Sequence, residues 1–127
     1  MLSDYVKSAD WKNEKHVPVI ECSAPFVAGE PMTVTVSVGK EIPHPNTAAH
    51  HISWIALHYV PEGVKTSIEL ARCDFSSHGD SMDPEKPGPA LTESCLSVRV
   101  KLAKPGKLFA TAYCNIHGLW SSECAIG

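Results

Sequence analysis

The chain has 127 residues, 43% hydrophobic and 20% charged, with a formal net charge of -3. That suits one globular domain with its own core and gives no reason to expect a nucleic-acid or anionic-membrane partner. No apolar run approaches the ~20 residues needed to span a bilayer, and the start (Met1 to Lys7) has an early acid, Asp4, and no apolar stretch of a secretory leader, so a cytoplasmic protein is expected.

The first fifteen residues carry a weak signal for a short helical turn, with Ser3 as its candidate cap. After it the dominant period is two. Val17–Cys22 is a first strand candidate. In Met32 to Val38 apolar and hydroxyl side chains alternate strictly, the mark of a half-buried strand. His51 to Val60 is apolar on both faces and suits a central strand. Thr66–Phe75 follows, and Cys95 to Leu102 repeats the alternation with its even positions facing in. Lys107–Cys114 and Leu119–Ile126 complete seven strands. Turn signals rich in proline and glycine separate them: Ala28 to Pro31, Pro61 to Gly63, Pro84 to Pro89 and Lys104 to Gly106. Seven short strands with regular turns predict an all-β protein, a seven-stranded immunoglobulin-like β-sandwich with a short N-terminal extension. There is no internal repeat or linker, so residues 1–127 are expected to form a single domain.

The five cysteines, Cys22, Cys73, Cys95, Cys114 and Cys124, are odd in number and unclustered, a poor disulfide framework. Free thiols packing as small hydrophobes are the simpler expectation. A Cys22–Cys124 pairing stays open.

Chemistry concentrates in three segments. Cys114 and His117 stand three apart, and Gly118 permits a sharp turn after the strand that ends in Cys114. A thiolate and an imidazole together favour zinc, copper or iron over magnesium or calcium. His44 and His50 lie in a loop stiffened by Pro43 and Pro45. His50 and His51 are adjacent, so in an extended chain their side chains point to opposite faces and one of them misses a shared ion; the spacing does not say which. His16 follows Glu14-Lys15 in a charged stretch. Alone it reads as a surface histidine, and Glu14-Lys15 as a solvated pair. His58 and His78 have no matching partners and read as structural. Four histidines and one cysteine nevertheless exceed the four ligands of structural zinc and point to a redox metal with a position left open.

The segments Glu14 to Pro18, Gly39 to Asn46 with His50-His51, and Tyr113 to Trp120 together resemble superoxide reductases, and more narrowly their one-iron, neelaredoxin-type members. The likeness runs from Ala9 to the end, with the motifs in the expected order. It implies a single mononuclear iron held by His16, His44, His50 and His117 in one plane, with Cys114 as the axial thiolate. It selects His50 over His51. Glu14 is then the carboxylate able to take the sixth position of the oxidised iron, and Lys15 the cation near the open face of the reduced iron. The implied activity is one-electron reduction of superoxide to hydrogen peroxide without oxygen release. A rubredoxin-like electron donor and a homotetramer are implied too. The two-iron desulfoferrodoxins carry an additional four-cysteine iron domain, which is not expected here.

Two other readings fit less well. A cupredoxin-like electron carrier needs two histidines, a cysteine and a weak axial ligand, often methionine. No methionine follows His117, and two histidines would go unused. A zinc-binding β-sandwich module would leave donors spare and has no redox chemistry.

Overall fold

A computed structural model describes all residues, Met1–Gly127. Seven strands follow a single 3₁₀ turn at Leu2–Asp4: β1 (Val19–Cys22), β2 (Pro31–Ser37), β3 (Ile52–Pro61), β4 (Ile68–Asp74), β5 (Cys95–Lys101), β6 (Gly106–Cys114) and β7 (Gly118–Ile126). They form two antiparallel sheets, β1-β2-β5 and β4-β3-β6-β7, packed as the expected immunoglobulin-like sandwich. All seven predicted strands are present, with ends shifted by up to two residues. The N-terminal turn is capped from Met1; Ser3 lies inside it. No helix is long and apolar enough to cross a membrane.

The alternation in β2 does what its period requires. Met32, Val34 and Val36 are buried, and the residues between them are more open. Across the ladder Val36 faces Leu96, Val34 faces Val98 and Met32 faces Val100, so one apolar stripe covers the inner face of the smaller sheet. The larger sheet answers with Ile55, Leu57, Leu108 and Ala110, all fully buried. Complete burial of an aliphatic side chain of this size contributes roughly 1.5–3 kcal/mol. β3 is hydrogen-bonded on both edges, to β4 and β6, as a strand apolar on both faces should be.

The core sets the position of one end of the sandwich. Cys114 closes β6 with its side chain fully buried and in the core cluster. Gly118 opens β7, paired directly across from Cys114, at φ +82°. The three residues between them make a tight hairpin loop whose geometry needs glycine at the left-handed position. His117 is therefore delivered beside Cys114 by the turn itself. At the same end the long β2–β3 connection carries His44 and His50, and the chain entering β1 carries His16.

Candidate metal centre

His16 is buried, and its ring lies nearly parallel to the Trp120 indole at 4.8 Å and 13°. Trp120 is itself pinned, donating from Nε1 to the His117 carbonyl at 3.2 Å. On the other side Glu14 Oε1 sits 2.6 Å from His16 Nδ1 and also accepts from the His16 backbone N–H at 3.1 Å. With Nδ1–H committed to this carboxylate, the Nε2 lone pair is left to point inward. The same hydrogen bond holds the Glu14 carboxyl below its ordinary range.

His44 is fixed in the same way. Its Nδ1–H donates to the Pro45 carbonyl at 2.7 Å, which turns Nε2 inward. The approach to it is tight: a Cβ on Gly39, which has φ +91°, would stand 2.8 Å from the His44 backbone nitrogen. Burial first of all, opposed by the Pro45 carbonyl and helped by the nearby charges of His16, His50 and Lys15, lowers the His44 pKa to about 4. Burial likewise lowers that of His50, with His117, His16 and Lys15 adding to it. Both rings are thus neutral near pH 7, the form that binds metals.

Four imidazoles close a ring. Centroid distances are 4.9 Å for His16–His44, 4.8 Å for His44–His50, 4.9 Å for His50–His117 and 4.7 Å for His117–His16. The diagonal His16–His50 is 6.3 Å. The result is close to a square, with His16 opposite His50 and His44 opposite His117. Cys114 Sγ lies 3.7 Å from both His44 Nε2 and His117 Nδ1, that is, from two opposite corners. It also accepts from the His117 backbone N–H at 3.4 Å. Donor atoms of His16, His50, Cys114 and His117 fall within 4.8 Å of one another.

These donors fit a metal ion better than they fit one another. His117 Nδ1 has His16 Nε2 at 3.1 Å, His50 Nε2 at 3.2 Å and Cys114 Sγ at 3.7 Å. One ring nitrogen carries either a proton or a lone pair, so it cannot satisfy three such neighbours. Several lone pairs converging on one point call for a cation. Five donors, one of them a soft thiolate, exceed a tetrahedral zinc site and suit a redox metal.

The remaining expected residues fall as follows. Lys15 is half-buried, and its charge reaches His44 and His50. Glu14 is engaged with His16 Nδ1 rather than standing among the convergent donors. His51 is turned away from the ring and stacks on His78 at 3.6 Å and 5°. The loop after Pro45 has no helical turn; Thr47 and His50 close it with a reciprocal pair of backbone hydrogen bonds.

Sequence reasoning missed the groups that hold the ring together. Asn115 accepts from the His51 backbone N–H at 2.8 Å and donates from Nδ2 to the Ala49 carbonyl at 3.0 Å, clamping the histidine loop to the β6–β7 hairpin. Asn46 donates to the Thr92 carbonyl at 3.0 Å and offers Oδ1 to His78 Nδ1 at 2.8 Å. Trp120 forms the wall behind His16. An amide between the cysteine and histidine of the hairpin, and another between His44 and His50, were the available signals.

The Desulfoferrodoxin family model matches residues 8–123. The chain belongs to this family. It is 46% identical to the neelaredoxin of Megalodesulfovibrio gigas, over 98% of this chain and 96% of that one. It is also 46% identical to the superoxide reductase of Pyrococcus furiosus, over 99% of each. Among solved structures, the reduced form of the superoxide reductase (neelaredoxin) of Archaeoglobus fulgidus superposes with a TM-score of 0.86 at 46% identity, over 97% of this chain and 98% of that one. Likeness of this extent covers the whole histidine ring and both sheets that carry it.

Proposed function

We propose that this protein is a superoxide reductase, converting superoxide to hydrogen peroxide at one mononuclear iron held by His16, His44, His50, His117 and Cys114. The observation that carries this reading is the near-square ring of imidazoles beside a single buried thiol. Family membership supports it, as do relatives that bear the name superoxide reductase. Iron bound there would supply the single electron that the reaction consumes, with two protons taken up from solvent.

The chain's own residues account for the rest. Superoxide is a small anion, and the protein has a net charge of -3. Lys15, beside His44 and His50, provides the local positive field that draws the anion in. Glu14 keeps His16 in the tautomer that points Nε2 inward. Cys114, buried and accepting a backbone N–H, is the electron-rich donor of the set. For Glu14 to serve as a metal ligand itself, it would have to leave His16 first.

An external one-electron donor must restore the reduced state. We assign that role to a rubredoxin-like small protein, and read residues 1–127 as one domain that works as a homotetramer in the cytoplasm. Metal analysis of the purified protein, with visible spectra of oxidised and reduced samples, tests the reading. Iron near one per chain, with a thiolate charge-transfer band lost in Cys114→Ser, is expected. Bound copper or zinc in protein supplied with iron would contradict it.

A further inference from the structure

The iron chemistry leaves four cysteines unused, and they sit in spatial pairs along the two open seams of the sandwich. At one seam β1, the edge of the smaller sheet, packs against β7, the edge of the larger. Ser122 Oγ in β7 donates to the Pro18 carbonyl at 2.5 Å and ties this seam together. At the other seam β5 packs against β4.

Register separates the two pairs. Residues directly opposite on neighbouring antiparallel strands share a face. Cys22 stands opposite Val34, and Cys124 opposite Leu108. Val34 and Leu108 are both fully buried core residues. Cys22 and Cys124 therefore both project into the space between the sheets, from facing edge strands of the same seam. Cys124 is partly buried against the core, while Cys22 is open to solvent. At the second seam Cys73 stands opposite the core residue Ile55 and faces inward. Cys95 stands opposite Ser37 and shares its face with Ser97, so it projects from the outer surface. Burial raises the Cys95 pKa and Cys73 adds to it, but one side chain projects into the core space and the other away from it.

We propose that Cys22 and Cys124 form an oxidisable dithiol that closes the β1–β7 seam as a disulfide when hydrogen peroxide accumulates. Peroxide is the product of the activity proposed above, but the step needs only peroxide, whatever its source. The Cys22 sulfur attacks one peroxide oxygen and the O–O bond breaks. One oxygen leaves as water, and Cys22 becomes a sulfenic acid. The Cys124 sulfur then attacks Cys22, the S–O bond breaks and a second water leaves. Two thiols lose two electrons and two protons, and one peroxide becomes two waters. Burial raises the pKa of both thiols, with Cys22 adding to the effect at Cys124. Thiolate is scarce near neutral pH, so the bond forms slowly and only under sustained peroxide. Once formed it ties residue 22 to residue 124 and fixes the edge strands of both sheets.

The test treats reduced, iron-loaded full-length protein with added hydrogen peroxide, blocks remaining thiols by alkylation and maps peptides without reduction. A Cys22–Cys124 linked peptide is expected, with a Tm several degrees higher that returns to the starting value on dithiothreitol. In Cys22→Ser both signals should vanish while superoxide consumption stays unchanged. That activity, measured in parallel, separates failure of this proposal from failure of the iron reading. Oxidation of Cys22 to sulfinic acid without a linked peptide, a Cys73–Cys95 link in its place, or a bond between two chains would each overturn the proposal.

Discussion

Two groups of histidines lie side by side at one end of this sandwich, and they solve opposite problems. His16, His44, His50 and His117 turn nitrogens toward one another and toward Cys114. His51 and His78 stack face to face and turn their nitrogens to carbonyl oxygens: His51 Nδ1 to Thr47, and His78 to Asn46 Oδ1 and the Phe75 carbonyl. The residue type is the same. What differs is whether a ring's hydrogen-bonding capacity is filled by protein acceptors or left converging. His16 and His44 show the intermediate device, with one nitrogen filled by Glu14 or Pro45 so that the other is aimed. A ligand histidine is thus defined by what holds its far side.

The largest expected effect is at the shared thiol. Cys114→Ser should abolish the visible band and reduce superoxide consumption to background, with the fold kept, since the change adds no bulk to the core. Next comes the far side of His16. Glu14→Ala frees that ring, and iron affinity should fall by about 10–100-fold, read by competition with a chelator. The structural pair supplies the contrast. His78→Ala strips the partners from Asn46 and the Phe75 carbonyl, and the cost should be about 1–3 kcal/mol in urea unfolding. Iron stoichiometry should stay at one per chain, the outcome that keeps the two groups distinct. Lys15→Met should slow superoxide capture several-fold at low ionic strength and flatten its salt dependence, measured by pulse radiolysis; an unchanged rate would remove the steering role.

A separate effect, independent of iron, is a pH slope in the metal-free protein. His44 has an ordinary pKa of 6.5 and is held at about 4 in the fold, chiefly by burial. Between those values the unfolded chain binds a proton that the folded chain does not. Stability is therefore full above about pH 6.5, falls as the pH drops, and levels off near 4. In His44→Leu this part of the slope should disappear from urea titrations.

Much of the fold was legible because the sheets rest on period-two patterning. β2 and β5 alternate so regularly that the inward face of each follows from the residues alone, and β3, apolar on both faces, is indeed interior to its sheet. Edges were less legible. β1 begins at Val19 rather than Val17: His16 serves the metal centre, the Pro18 carbonyl is taken by Ser122 Oγ, and Pro18 has no N–H to offer a ladder. In the centre, the hairpin carrying Cys114 and His117 could be read directly, since a three-residue loop ending in Gly118 leaves few geometries. Glu14 was noticed, but not its grip on His16. Asn46 and Asn115 act across 46 and 66 positions of chain, respectively. Such contacts depend on how loops meet at the end of the sandwich, and local pattern carries no trace of that meeting. The spare cysteines show the same limit: only strand register separates Cys22 and Cys124, which share the interior, from Cys73 and Cys95, which do not.

The histidine ring and Cys114 are proposed to support reduction of superoxide rather than its dismutation. Mixing fully reduced, iron-loaded protein anaerobically with one equivalent of superoxide, and measuring peroxide and oxygen together, tests it most directly. One peroxide for each superoxide consumed, and no oxygen, is expected. Oxygen released in step with peroxide, or superoxide left unconsumed by the loaded protein, would contradict it.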